Sequence, residues 1–303
     1  MKGCGVYRSS RQHDWIAKAL LGLLAAVLAA SAMAEGAGEA DLKHARFSAS
    51  DGASLHVIEA GSAADKPVIA FVPGWGMPAS LWEPQLQGLG AKYRVAALDP
   101  RGQGESDVSA GGYTLAQRAD DIARFVERYP KVVLVAWSLA ALESLEYIDR
   151  NPNARVTGLV IVDSSVGEGP EPTAPQGAGF VDELRKNRAA AVRAFVRAIF
   201  KSSRSESEIE GLVQGALRMP LEGSITLFPR KVPRSHWKKI VLALRIPLFY
   251  VVTPQFAEQA RFLKQDRPAT RVEVFQQAGH ALFADEPERF NTLIQDFVSS
   301  LPP

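Results

Sequence analysis

The sequence predicts an α/β protein built on a mostly parallel, eight-stranded sheet with helices on both faces. Three observations predict it. Short apolar, β-branched runs such as V-I-A-F-V and V-V-L-V-A have the length and composition of buried strands. Segments with helical periodicity alternate with those runs, the rhythm of strand–helix–strand crossovers. Several strands also end in turn-forming clusters, including Pro73-Gly74-Trp75-Gly76 and Asp99-Pro100-Arg101-Gly102. In such a sheet, ligands bind at the carboxyl ends of the strands.

Taken in order, residues 1–34 have the layout of a secretory signal peptide. Lys2, Arg8, Arg11 and Lys18 form a basic beginning, residues 19–30 an apolar stretch, and Ala32-Met33-Ala34 a cleavage site before Glu35. The apolar stretch is shorter than the roughly 20 residues a membrane span needs. Cys4, the only cysteine, lies before it, so cleavage leaves a chain without disulfide or thiol chemistry. The whole chain carries 35 basic and 33 acidic residues; without the four basic and one acidic residue of the leader, 31 and 32 remain, a net charge of −1. The expected location is the periplasm or beyond it. With no long basic run, a nucleic-acid partner is not expected, nor is a membrane span after cleavage.

Residues 46–50 and 55–59 read as strands flanking the turn pair Asp51-Gly52, and residues 67–72 as a buried strand. A helix over 81–89, a strand over 93–98 and a helix over 114–129 with Thr114 as N-cap follow. Residues 131–136 form the next strand and 139–147 a helix. Ser138 stands between them on a turn too tight for a loop. Such a turn lifts the serine hydroxyl to the sheet's carboxyl edge, beside the free N–H groups of the following helix. The pattern is that of a nucleophile elbow, G-x-S-x-G, with Ala136 and Ala140 in place of the glycines. Small residues are needed where strand and helix cross beside a strained serine, and alanine keeps the turn feasible but tighter.

A strand over 156–162 ends at Asp163, and the rhythm then breaks. Pro170, Pro172 and Pro175 mark a linker, and helical patterns over 180–200, 206–218 and 237–244 follow. The organisation expected is therefore a first core part over 35–164, a helical cap inserted over 165–242, and a second core part over 243–303. The cap's Arg and Lys residues are expected on a solvated outer face. Strands over 246–252 and 271–275 complete the sheet. A last helix over 286–301 is expected, capped by Asp285 with Glu288 closing a capping box.

Four motifs in this order carry a resemblance: P-G-W-G-M-P-A-S-L-W, D-P-R-G-Q-G-E-S, A-W-S-L-A, and A-G-H-A-L-F-A-D-E-P-E-R-F. The chain resembles the α/β-hydrolase fold family, of the capped serine esterase type, over residues 46–303. Around G-W-G and W-S-L it is similar to the pimeloyl-carrier-protein methyl ester esterases, whose cytoplasmic biosynthetic role a signal peptide argues against. The resemblance implies a serine nucleophile, Ser138, and a histidine base, His280, the one histidine of five in a loop at a strand's carboxyl end. It implies an oxyanion hole from the backbone N–H groups of Trp75 and Leu139, although Pro73 stands where many relatives have histidine. Trp75, Trp82 and Trp137 are candidates for an acyl pocket.

The acid departs from the pattern. The family usually carries it after the seventh strand, where this chain has Thr253-Pro254-Gln255-Phe256 and a loop that reads as shortened. Asp163, one strand over on the same edge, is the leading replacement, with Glu258 or Asp266, or no acid at all, as alternatives. The loop with Asp99, Arg101 and Ser106 is given no chemistry. No Cys/His/Asp spacing indicates a metal and no G-x-G-x-x-G follows a strand, so no cofactor is expected. These readings imply hydrolysis of a carboxylic ester or related acyl substrate. A cofactor-free haloperoxidase or perhydrolase on the same residues, or an inactive binding protein of this fold, are the competing functions.

Overall fold

The computed structural model describes residues 1, 40–152, 155–167, 178–228 and 232–302. Residues 2–34 of the expected leader and the prolines at 170, 172 and 175 lie outside them. The fold itself is the unit Ala40–Pro303. Eight strands form one sheet: β1 (Lys43–Ser48), β2 (Ser54–Ala60), β3 (Val68–Val72), β4 (Val95–Asp99), β5 (Val132–Trp137), β6 (Val156–Val162), β7 (Leu248–Val252) and β8 (Arg271–Val274). Their order across the sheet is β1-β2-β4-β3-β5-β6-β7-β8. β1, β2 and β4 pair antiparallel, and every pairing from β4 to β8 is parallel.

The reason lies in the strand sequences. β3, β4, β5 and β7 are buried at every position, as strands covered on both faces must be. Side chains alternate between two apolar clusters. Ile69, Phe71, Val133 and Val135 enter one, while Val68, Ala70, Val132 and Leu134 enter the other. On the first face lie α1 (Glu83–Gly90) and the last helix, α10 (Pro287–Ser299); on the second lie α2 (Leu115–Val126) and α3 (Leu139–Arg150). Thr114 caps α2 by accepting a hydrogen bond from the Gln117 amide.

Between β6 and β7 the described residues form α4 (Ala178–Ala198), α5 (Glu206–Leu217), α6 (Leu221–Thr226) and α7 (Arg234–Ala243). Phe180, Phe195, Ile199 and Phe228 turn their apolar side chains toward the carboxyl edge of the sheet, where they share a cavity with Ser138 and His280. Arg193 and Arg197, on the outer side, pair with Glu210 and Glu206. No helix among the described residues is long and apolar enough to cross a membrane.

Two expectations need correction. The connection after β7 is not merely shortened: a turn over Pro254–Phe256 runs directly into a helix, α8 (Ala257–Asp266). The periodicity of A-E-Q-A-R-F-L-K-Q-D is weak, with only Ala260 and Leu263 buried, so it reads as loop. Asp285 does not cap the final helix. It ends a short helix, α9 (Leu282–Asp285), and Glu286 stands at the N-cap of α10. Its carboxylate instead accepts hydrogen bonds from the amides of Gly279, Lys201 and Ser202. A lone Asp before a helix carries no mark of the distant amides it will meet.

Candidate active site

Ser138 connects β5 to α3 with φ 58 and ψ −123, a conformation that residues other than glycine rarely adopt. The packing around it over-determines that strain. Ala136 and Ala140 are fully buried on either side, and the Ser138 amide donates to the Val162 carbonyl at 2.9 Å. Gly74 approaches so closely that a Cβ there would lie 2.9 Å from that of Ser138. A glycine is thus needed in the facing loop even though the elbow itself dispenses with both.

His280 sits in the loop between β8 and α9. Its Nε2 lies 2.9 Å from Ser138 Oγ, and its Nδ1 lies 2.7 Å from Asp163 Oδ2. The loop is fixed at several points. Trp137 Nε1 donates to the His280 carbonyl at 2.9 Å, and the Ala281 amide to the Ile199 carbonyl at 2.7 Å. Gly279 meets Asp285 at 2.7 Å, and a Cβ on that glycine would collide with the Ile199 carbonyl. Asp285 is pushed up by burial, but hydrogen bonds from the Ser202 hydroxyl and the Gly279, Lys201 and Ser202 amides outweigh this. They hold its carboxyl below the usual range.

Asp163, one residue past β6, has φ 44 and is 1% exposed. A buried carboxylate needs its lone pairs matched. Oδ2 faces His280, while Oδ1 accepts from the Thr253 amide at 2.7 Å and the Thr253 hydroxyl at 2.8 Å. Thr253 is the residue directly after β7. The strand end that carries no acid of its own therefore holds the acid of its neighbour. The alternatives lie elsewhere: Glu258 is exposed beside Arg261, and Asp266 pairs with Lys238 at 3.0 Å.

The structure thus brings Ser138, His280 and Asp163 together, with Trp75 and Leu139 at the same cavity. Leu139 is the first residue of α3, so its N–H has no acceptor within the helix. The Trp75 loop is braced by Gln103, which sequence reasoning passed over. Its side-chain amide donates to the carbonyls of Gly74 and Met77 at 3.1 and 2.7 Å, and its carbonyl accepts from Gly76. The D-P-R-G-Q-G-E-S motif was the available signal. Arg101, another buried polar member of the motif, pairs with Asp121 and Asp51 and is not among the residues that line this cavity.

The cavity has a volume of about 390 Å³, within the range of small-ligand sites. Its walls are aromatic and aliphatic: Phe180 and Phe195 stand edge-on to Trp75 at 5.4 and 5.3 Å, and Phe228 closes the same group. Trp75 has its indole N–H satisfied by the Ser224 carbonyl at 2.8 Å. Of the other two tryptophans expected at an acyl pocket, Trp82 is stacked on Phe283 in the core and Trp137 packs against His280, and neither lines the pocket. Neither Lys nor Arg is among the lining residues.

The model of the alpha/beta hydrolase family matches residues 69–293. A pimeloyl-[acyl-carrier protein] methyl ester esterase of Vibrio campbellii is 24% identical over 254 residues, which cover 77% of this chain and 95% of the relative. An esterase from Exiguobacterium antarcticum superposes with a TM-score of 0.74 at 20% identity, covering 84% of this chain and 99% of that one. A putative aryl esterase from Burkholderia cenocepacia gives 0.72 at 26% identity, with 85% and 98% covered.

Proposed function

Because the chain belongs to the alpha/beta hydrolase family, we propose that it is an exported serine esterase acting on carboxylic esters with an apolar acyl or aryl group. The observation that carries this reading is the continuous line of hydrogen bonds from Ser138 Oγ through His280 to Asp163, at 2.9 and 2.7 Å, at the wall of an apolar cavity. A neutral serine is a weak nucleophile, and an imidazole within hydrogen-bond reach makes it effective.

Ser138 Oγ attacks the ester carbonyl carbon as its proton passes to His280 Nε2. Asp163 holds the Nδ1–H tautomer and stabilises the imidazolium that forms. The carbonyl oxygen, now negative, accepts hydrogen bonds from the Trp75 and Leu139 amides, each such donor being worth about 3–4 kcal/mol. Collapse expels the alcohol, which takes the proton from His280. A water, deprotonated by His280, then attacks the acyl-serine and releases the acid, restoring Ser138.

The cavity supports the substrate class. Its aromatic walls suit an acyl chain or ring, and a second anionic group on the substrate would meet no cation among the lining residues. Export rests on the leader at residues 1–34, and the periplasm is the proposed location. A fluorophosphonate probe tests the reading: the expected result is a single label on Ser138, absent from Ser138→Ala. A folded protein that takes no label would favour the binding-protein reading instead. Rates across p-nitrophenyl esters of rising chain length then define the acyl group, with apolar esters favoured over dicarboxylic half-esters.

A further inference from the structure

On the antiparallel side of the sheet, three side chains converge outside the cavity: His44 on β1, His56 on β2 and Glu105 in the loop after β4. We propose that they form a binding site for a borderline divalent cation such as Zn²⁺, which clips the edge strand β1 to that loop. One donor atom from each residue lies within 4.8 Å of the others. His44 Nδ1 and His56 Nε2 are 2.9 Å apart, and they lie 3.9 and 3.7 Å from the two Glu105 oxygens.

The distances bracket what a cation requires. Zinc holds imidazole nitrogen and carboxylate oxygen at about 2.0–2.2 Å, so neighbouring donors in a tetrahedral set stand about 3.3 Å apart. Closing the present gaps takes shifts of a few tenths of an ångström. Two of the three groups are free to make them: the His44 and Glu105 side chains are 51% and 63% exposed. His56, 2% exposed, is the fixed member.

What distinguishes this cluster from a chance surface pairing is how His56 is held. Its Nδ1 lies 2.7 Å from Asp99 Oδ2, and Asp99 also accepts from the Glu105 amide at 2.9 Å and from the Ala79 amide. In the tautomer that donates Nδ1–H to this carboxylate, the lone pair is left on Nε2, facing His44 and Glu105. A carboxylate behind a histidine is the arrangement that orients and strengthens metal-bound imidazoles. The two carboxylates, Asp99 and Glu105, match a divalent charge. Arg46, the neighbouring cation, is engaged by Ser54, Asp107 and the Glu105 carbonyl. Two imidazoles and one carboxylate leave a fourth position for water, a donor set that favours zinc-like ions over calcium or magnesium.

Spacing along the chain hides the site, because antiparallel pairing sets His44 opposite Ile58 and His56 opposite Asp99. The test uses the full-length, untagged protein stripped with chelator and titrated with Zn²⁺ in a calorimeter, with Co²⁺ absorption as a second readout. The expected result is one equivalent bound, a rise in Tm of several degrees in excess Zn²⁺, and a Co²⁺ spectrum of low-symmetry four-coordination. His44→Ala and Glu105→Gln should each weaken binding at least tenfold while leaving ester turnover and the metal-free Tm near wild type. Absence of stoichiometric binding to the wild type would overturn the proposal. So would binding that survives both substitutions, since the cation would then be held elsewhere.

Discussion

Among the described residues the same unit occurs in two places. In each of two places a histidine presents Nδ1 to a buried aspartate at 2.7 Å and Nε2 to a third group at 2.9 Å. For His280 the aspartate is Asp163 and the third group is the Ser138 hydroxyl. For His56 they are Asp99 and the His44 ring. The local geometry does not distinguish them, so an aspartate–histidine pair alone does not identify a catalytic centre. The difference lies in what surrounds Nε2. His280 faces a strained serine, the first amide of α3 and an apolar cavity; His56 faces a second imidazole and a carboxylate at the sheet's antiparallel edge.

The largest effect that can break this contrast is the loss of the hydroxyl. Ser138→Ala should lower ester turnover about a millionfold, as removal of the nucleophile does in other serine enzymes, with Tm little changed because alanine keeps the Cβ that strains the positive φ. Residual turnover within a hundredfold of wild type would mean that Ser138 is not the nucleophile. Next comes the acid. Asp163→Asn should lower kcat about 10⁴-fold through the wrong imidazole tautomer, whereas His56→Gln should leave kcat within about threefold and act on stability. Equal losses from the two would erase the distinction drawn here.

How much of this is legible in the sequence depends on the range of each cause. The strand–serine–helix turn is local, and five residues carry it, so Ser138 stands out despite the missing glycines. His280 is marked by its position after a strand, and Asp163 by lying one strand from where the acid was missing. Thr253 leaves no such mark. It is an ordinary residue after β7 whose role exists only because β6 and β7 are neighbours in register. Asp285 reads as a helix cap and proves to be a clamp on the His280 loop and on residues 201–202, 84 and 83 positions away. His44, His56 and Glu105 are invisible for the same reason, scattered along the chain until antiparallel pairing collects them.

Thr253 offers a sharper test of how the acid is held. Thr253→Val removes the hydroxyl that donates to Asp163 Oδ1 but keeps the amide that donates to the same oxygen. With one of two bonds to that oxygen lost, kcat should fall by about tenfold, the equivalent of about 1.4 kcal/mol. KM for a p-nitrophenyl ester should change little, because Thr253 is not among the residues that line the cavity. A change in KM alone would assign Thr253 to the pocket.

A last effect falls on stability rather than turnover and separates the supports of the two histidines. Asp99 braces His56 directly, while Asp285 reaches His280 only through the loop, accepting from Gly279. Its folded carboxyl is held below the usual range by hydrogen bonds that outweigh burial. The charged form is therefore favoured by folding, and this contribution is fully present above the ordinary carboxylate value of about 4. It is lost as pH falls through that value toward the lowered folded one. Asp285→Asn should then cost about 1–3 kcal/mol at neutral pH, measured by urea unfolding. The gap between wild type and variant should narrow as pH drops from about 5 to 3. A gap that stays constant over that range would show that the carboxylate's charge is not what holds the loop.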